Sequence, residues 1–199
     1  EDGKIQNVNR RGRKRNMGKF VRSEATVREL LYYSYANLAM AHYAVKRGDK
    51  KYTRTAYMIR AKLYKGLLEG TMTMGSFFDD EKVKLQQGHI CSYCGSSDGI
   101  TFDHLISRAL NGKDSSDNLV VACRSCNSSK RDKDLLVWCR QHDKFPPLMI
   151  LRRYLKIAVQ ICHDADVMDC FQSDARLVNI PISFDDIPTK FPVPADLRL

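Results

Sequence analysis

Two C-x2-C knuckles, Cys91-Ser-Tyr-Cys94 and Cys123-Arg-Ser-Cys126, restrict what this chain can fold into more than any other feature. Four cysteines arranged in two such pairs are the ligand set of a tetrahedral structural zinc site. The 28 residues that separate the knuckles exceed the loop of a plain zinc ribbon, so additional structure must lie between them. We therefore predict one structural Zn²⁺ bound by Cys91, Cys94, Cys123 and Cys126.

The other three cysteines, Cys139, Cys162 and Cys170, stand alone among apolar neighbours. Isolated cysteines in apolar surroundings usually behave as small buried side chains, and thiols persist in a reducing compartment. We predict one zinc ion and three buried thiols in a cytoplasmic protein. A second zinc site that uses Cys162 and His163 is the alternative.

Between and just after the knuckles lie three polar motifs: Phe102-Asp103-His104-Leu105-Ile106, Asp117-Asn118-Leu119-Val120 and Cys126-Asn127-Ser-Ser-Lys130. With the two knuckles around them, these motifs resemble the HNH endonucleases of the ββα-metal type. Their order is similar to that in the HNH domain of RNA-guided CRISPR nucleases. Asn127 stands where the founding pattern of the family has its last histidine.

The resemblance implies a role for each polar residue. His104 would act as the general base, and an imidazole with a near-neutral pKa suits that task. Asp103 and Asn127 would bind one catalytic Mg²⁺ or Mn²⁺ through hard oxygen atoms. Asn118 would orient the loop that carries the base through backbone hydrogen bonds. Because neighbouring residues of a strand point to opposite faces, Asp103 and His104 can share a site only at a strand end or a turn.

Positive charge is concentrated in the first third of the chain. Residues 1–70 contain 17 Lys and Arg against 6 Asp and Glu, whereas residues 71–170 contain 13 of each. This distribution favours a nucleic-acid-binding arm attached to a neutral catalytic core. The predicted arm contacts are Arg11, Arg13, Lys14 and Arg15, with a solubilising arm or a nuclear-import signal as alternatives. Lys130 and Arg124 are candidate phosphate contacts, with a solvated helix face as the alternative.

The hydrophobic pattern predicts a mostly helical chain with two short strands and a helix at the four-cysteine zinc site. The resemblance implies that these elements form a central ββα-metal core, so the expected fold class is α+β. Predicted elements are a capping box at Thr26 that opens a helical hairpin, a short helix near 79–86, a helix that begins near Cys126 and continues from Asp132 to Gln141, and another helix after Pro147. We divide the chain into a basic arm (1–22), a helical hairpin with linker (23–78), the nuclease core (79–142), and a C-terminal helix with an extended tail (143–199). The tail would dock on the core or on a partner.

Together these features predict a metal-dependent endonuclease that hydrolyses phosphodiester bonds, with double-stranded DNA as the expected partner. A zinc module that binds nucleic acid without cleaving it is one alternative, and an HNH nuclease that acts on RNA is another. A restriction, defence or mobile-element role, alone or within a larger assembly, fits the sequence equally well. The absence of any run of 18 apolar residues predicts no membrane crossing. In a eukaryotic cell, the basic arm would make the nucleus the alternative location.

Overall fold

The structure is a computed structural model that describes residues 20–77, 88–175 and 179–199. The predicted arm contacts Arg11, Arg13, Lys14 and Arg15 and the helix predicted near 79–86 lie outside these ranges. The described residues form six α-helices and one two-stranded antiparallel sheet, which confirms the predicted α+β class.

The predicted helical hairpin is confirmed, and its ends follow the local sequence. Helix α1 spans Val27–Lys46, and Thr26 and Glu29 form the predicted capping box at its start. Helix α2 spans Arg54–Glu69 and is capped by the Thr53 side chain. Gly70 ends α2 in the left-handed conformation, with φ of 70°, which glycine adopts without steric cost. Helix α1 is buried along most of its length, whereas only Ala56, Gly66 and Leu67 of α2 are buried.

A small ββα unit follows. Strands β1 (Ile100–His104) and β2 (Leu119–Cys123) pair in antiparallel register, with Ile100 opposite Cys123 and His104 opposite Leu119. Helix α3 (Arg124–Lys130) follows β2 directly and packs against both strands. The strand–strand–helix order predicted from the sequence is confirmed.

The helix predicted to continue from Cys126 through Asp132 to Gln141 is interrupted. Arg131 ends α3 with φ of 49°, so the backbone leaves the helical path there. The Asp134 carboxylate then accepts hydrogen bonds from the backbone N–H groups of Leu136 and Val137 and starts helix α4 (Leu135–Gln141). An aspartate at this position stabilises the beginning of a helix by satisfying its free donors, which is why α4 starts after Asp134.

The C-terminal part of the chain packs on the rest of the molecule. Helix α5 (Leu148–Asp164) begins after Pro146-Pro147, as predicted, and packs against α1. A short helix α6 (Gln172–Ala175) was not predicted. From residue 179 onward the chain contains two 3₁₀ helices, Phe184–Asp186 and Pro194–Asp196. Its side chains Ile182, Phe184 and Ile187 belong to the main hydrophobic core.

The tail is tied to the N-terminal end of the described chain. The Arg22 guanidinium donates hydrogen bonds to the carbonyl oxygens of Phe184 (2.6 Å), Asp185 (2.9 Å) and Ile187 (2.8 Å). Arg198 donates to the carbonyl oxygen of Tyr93 in the first knuckle. The sequence left open whether the tail docks on the core or on a partner. In the structure the tail docks on the core.

Candidate active site

The four knuckle cysteines converge on one point. Cys91 and Cys94 lie in a turn whose Ser92 N–H donates to Val121 O of β2, while Cys123 ends β2 and Cys126 lies in α3. Their Sγ atoms all lie within 4.8 Å of one another. The Cys94 and Cys123 sulfur atoms are 3.7 Å apart. A tetrahedral site with Zn–S bonds of about 2.3 Å requires sulfur atoms about 3.8 Å apart, so this arrangement fits a zinc ion.

The four thiols differ in how their surroundings affect ionisation. Burial and then the adjacent sulfur atoms of Cys123, Cys94 and Cys91 raise the pKa of Cys126. Burial also acts to raise the pKa of Cys91, but backbone N–H groups in the knuckles outweigh it and lower that pKa to about 7. A divalent ion would stabilise all four thiolates at once.

No second metal-binding group of three or more His, Cys, Asp or Glu side chains occurs in the described ranges. Cys162 is fully buried, whereas 75% of the His163 side chain is exposed, so the alternative zinc site is not supported. The three remaining thiols, Cys139, Cys162 and Cys170, are free cysteines; the first two are buried and Cys170 is half-buried. Burial is the main reason that the pKa of each is raised.

Asp103, His104 and Asn127 line one open cleft at the end of β1, together with Phe102, Ser107, Arg108, Arg131 and Asp132. Asp103 and His104 are the last two residues of the strand, which is the location that a shared site requires. Asn127 Nδ2 donates to Phe102 O at 3.0 Å, which fixes the amide plane and leaves Oδ1 for a cation. The carboxylate of Asp103 and the amide oxygen of Asn127 are the hard donors that Mg²⁺ takes.

Asp103 is held by two neighbours. The Tyr93 hydroxyl donates to Asp103 Oδ2 at 2.6 Å. The Lys130 ammonium lies 3.1 Å from Oδ2 and 3.3 Å from Oδ1, and it also donates to His104 O at 2.6 Å. Burial, followed by the charge of Asp103, raises the pKa of Tyr93, so this hydroxyl is a donor throughout the neutral range.

The position of Lys130 corrects the prediction that it contacts phosphate. Its side chain is fully buried, with 0% exposure, and its ammonium contacts Asp103 and the His104 carbonyl inside the unit. The solvated helix face proposed as the alternative is wrong for the same reason. Arg124 is exposed, but it lies against Gly99 at the opposite end of β1 from the cleft.

His104 contacts a carboxylate that the sequence did not single out. Its Nε2 lies 2.9 Å from Oδ1 of Asp114, whose side chain is 69% exposed. The hydrogen bond from His104 lowers the pKa of Asp114, so Asp114 is ionised at neutral pH. An ionised carboxylate only accepts hydrogen bonds. In this arrangement Nε2 therefore carries the proton, and the lone pair of a neutral His104 is on Nδ1.

Asn118 makes the backbone hydrogen bonds expected of a residue that orients the loop after His104. Its side-chain Oδ1 accepts from Ile106 N at 2.9 Å, and its Nδ2 donates to the carbonyl oxygens of Ile106 and Lys113. Its own carbonyl accepts from Leu105 N. Gly112 closes the same loop, where a Cβ atom would lie 1.9 Å from Ile106 O, so only glycine fits.

Four residues of the cleft were not predicted from the sequence: Ser107, Arg108, Arg131 and Asp132. Ser107 Oγ donates to Asp132 Oδ1 at 2.8 Å and joins the loop after β1 to the segment after α3. Arg108 and Arg131 place positive charge at the cleft. In the sequence, Arg131 could have been linked to the site only through its proximity to the Asn127 motif. Nothing in the sequence linked Arg108 to the site.

The family model of HNH endonucleases matches residues 91–133, the segment from the first knuckle to just beyond α3. This match confirms the resemblance, and it supports a nuclease-type function that acts on nucleic acid. No curated protein and no solved structure matched the chain. None of the helices in the described residues has the length and apolar character that a membrane crossing requires.

Proposed function

We propose that the HNH segment, residues 91–133, makes this chain a divalent-metal-dependent endonuclease that cuts double-stranded DNA. The observation that carries the proposal is the joint placement of Asp103, His104 and Asn127 at one cleft. That cleft lies at the end of a strand whose partner strand finishes in the four-cysteine cluster. The cleft therefore combines two oxygen donors for a metal ion with one base, and all three belong to the ββα unit.

Asp103 and Asn127 would hold one Mg²⁺ or Mn²⁺. When bound, that ion would neutralise the charge that develops on the scissile phosphate and on the departing 3′ oxygen. Two protein ligands suffice, since Mg²⁺ retains water molecules and takes further ligands from substrate phosphates. Asn127 is half-buried and Asp103 is buried, so fewer water molecules would compete with these donors for the ion.

His104 would act as the general base. In its neutral form it would take a proton from the water that attacks phosphorus, and the bond from phosphorus to the 3′ oxygen would break. The products would be a 5′ phosphate and a 3′ hydroxyl, which takes its proton from solvent. Asp114 would stabilise the imidazolium formed in this step, because its ionised carboxylate already contacts Nε2. Asn118 would keep the loop in place by its three side-chain hydrogen bonds.

Substrate phosphates would meet positive charge in two places. Arg108 and Arg131 line the cleft and replace Lys130 as the expected contacts near the scissile bond. Helix α2 provides a second surface through its exposed or half-buried cations Arg54, Arg60, Lys62 and Lys65. The Arg60 guanidinium lies over the rings of Tyr33 and Tyr57, which holds it at the surface. Contacts of this kind bind phosphate without selecting sequence.

A plasmid assay tests the proposal. Supercoiled DNA incubated with zinc-loaded protein should be nicked in Mg²⁺ or Mn²⁺ and remain intact in EDTA, since the donors suit hard divalent ions. An RNA of matching sequence, tested in parallel, should be cut more slowly. Faster cleavage of RNA would replace the DNA assignment. Binding of DNA with no cleavage in any divalent ion would contradict the proposal and favour the non-catalytic zinc module.

A further inference from the structure

We propose that Tyr93, which lies inside the first zinc knuckle, is a positioning residue for the metal-binding carboxylate of Asp103. The zinc cluster and the catalytic cleft would then be one connected unit. This inference rests on the proposed function, because it assigns Asp103 to the catalytic ion. It extends that function by naming a residue that neither touches the substrate nor binds either metal.

Tyr93 is fixed at both ends of its side chain. Its backbone lies between the ligands Cys91 and Cys94, and its carbonyl accepts a hydrogen bond from Arg198. Its ring is 7% exposed and makes an edge contact with Trp138, with ring centroids 5.2 Å apart. Its hydroxyl reaches Asp103 Oδ2 at 2.6 Å. Because the ring is held by the knuckle and by Trp138, its hydroxyl holds the Asp103 carboxylate at a fixed place relative to the knuckle.

The hydrogen bond determines which oxygen of Asp103 is open to a cation. Oδ2 accepts the 2.6 Å hydrogen bond from Tyr93 and lies 3.1 Å from the Lys130 ammonium, whereas Oδ1 accepts a longer hydrogen bond, of 3.3 Å, from Lys130. Oδ1 is therefore the more weakly held of the two oxygens, and a cation would displace only the long Lys130 hydrogen bond there. The terminal torsion of aspartate is soft, so without the Tyr93 hydroxyl the carboxylate can rotate toward Lys130.

A matched pair of variants separates positioning from simple loss of stability. Tyr93→Phe removes the hydroxyl and keeps the ring against Trp138. Tyr154→Phe makes the same chemical change at another buried tyrosine, whose hydroxyl donates to the Asp134 carboxylate and does not line the cleft. Both changes remove one buried hydrogen bond to a carboxylate, but only the first concerns Asp103.

The measurement is Mn²⁺ affinity of the full-length, zinc-loaded protein without nucleic acid, followed by the electron paramagnetic resonance signal of free Mn²⁺. We expect Tyr93→Phe to weaken Mn²⁺ binding roughly tenfold or more, the usual cost of removing a partner of a metal ligand. Zinc content should stay at one per chain, and Tyr154→Phe should bind Mn²⁺ as the wild type does. In nicking assays Tyr93→Phe should need more Mn²⁺ and approach the wild-type rate at saturation.

Melting temperatures with and without Mn²⁺ provide a second measurement, which remains informative if Tyr93→Phe is less stable. Mn²⁺ should raise the Tm of the wild type and of Tyr154→Phe more than that of Tyr93→Phe, since a ligand stabilises the folded state according to its affinity. Wild-type Mn²⁺ affinity in Tyr93→Phe would overturn the inference.

Asp103→Ala distinguishes this failure from failure of the proposed function. If Asp103→Ala loses Mn²⁺ and Tyr93→Phe does not, only the positioning role is wrong. If Asp103→Ala binds Mn²⁺ as the wild type does, both proposals are wrong. If Tyr93→Phe weakens Mn²⁺ binding but no protein cleaves nucleic acid, the positioning role stands and the nuclease function is wrong.

Discussion

Lys130 is the residue whose environment differs most from its expected one. A lysine on a seven-residue helix beside a cysteine ligand predicts a solvated or phosphate-binding cation. The structure instead encloses its ammonium between Asp103 and the carbonyl of His104. The residues that cover Lys130 come from β1, more than 25 positions earlier in the chain. Local periodicity on so short a helix does not show which face that strand covers.

Lys130→Met should destabilise the protein by roughly 3–5 kcal/mol, because it leaves the buried Asp103 carboxylate without its cation. The salt dependence of DNA binding should stay the same, since the ammonium does not reach the surface. Denaturant unfolding and binding measured over a range of salt concentrations check both expectations. Lys133→Met, at a neighbouring exposed lysine, provides the control and should leave stability within about 0.5 kcal/mol of the wild type. If Lys130→Met has normal stability and a reduced salt dependence of DNA binding, the original prediction that Lys130 contacts phosphate would be supported instead.

Other residues of the site were predictable because they belong to short sequence motifs. Asp103-His104, Asn118 and Asn127 each lie in a recognisable sequence context, and the structure places Asp103, His104 and Asn127 at one cleft. Asp114, Arg108 and Ser107 lie in the long insert between the knuckles, where the sequence has no periodicity. Their approach to the site depends on the path of that loop, which Asn118 and Gly112 determine through contacts with Ile106.

Among the elements, the ββα unit is small, and a bound structural zinc would add to its stability. Its two five-residue strands and seven-residue helix meet at the cysteine cluster, to which the end of β2 and the first turn of α3 each contribute a ligand. The knuckle spacing made this unit predictable. The end of α3 was not, because the backbone turns at Arg131 and Asp134 starts a new helix. No glycine or proline marks that break.

Cys123→Ser should remove zinc and unfold the unit, since binding of a structural zinc contributes about 10 kcal/mol or more to folding. Metal analysis should find one zinc per chain in the wild type and almost none in the variant, and circular dichroism should show the loss of structure. Cys170→Ser is the control: this half-buried thiol lies outside the cluster, so zinc content should be unchanged. Folded wild-type protein without zinc would contradict the assignment of the four cysteines.

In the whole molecule, the helices, the tail and the ββα unit share one hydrophobic core. The main hydrophobic core includes Leu31 of α1, Leu105 beside the site, Leu151 of α5 and Phe184 of the tail. The helical hairpin was predictable from its apolar spacing and caps. The docking of the tail was not, because it depends on Arg22 and on backbone carbonyl oxygens that have no sequence signature.

The position of Phe20 refines how the basic arm should be tested. Its ring stacks on Tyr33 with centroids 4.0 Å apart and contacts the edge of Tyr64, and Arg22 is bonded to the tail. A truncation should therefore stop before Phe20, so that the hairpin and tail contacts are retained.

Removing residues 1–19 deletes seven Lys and Arg. Binding to all DNA duplexes should weaken alike, and the log–log salt slope should become shallower by about 0.9 for each DNA phosphate that the arm no longer neutralises. Single-turnover cleavage at saturating protein should persist, because Asp103, His104 and Asn127 are unchanged. An unchanged salt slope would assign the arm to solubility or import and leave α2 as the main phosphate-binding surface.

One comparison of nicking rates decides whether His104 is the base of a metal-dependent nuclease. Wild-type protein, His104→Ala and His163→Ala would be incubated with supercoiled plasmid in Mg²⁺ at equal zinc content. His163 is an exposed histidine of α5 that does not line the cleft. We expect wild-type nicking by His163→Ala and a rate at least about 100-fold lower for His104→Ala, with folding and DNA binding retained. A His104→Ala protein that nicks DNA at a near wild-type rate would exclude His104 as the base.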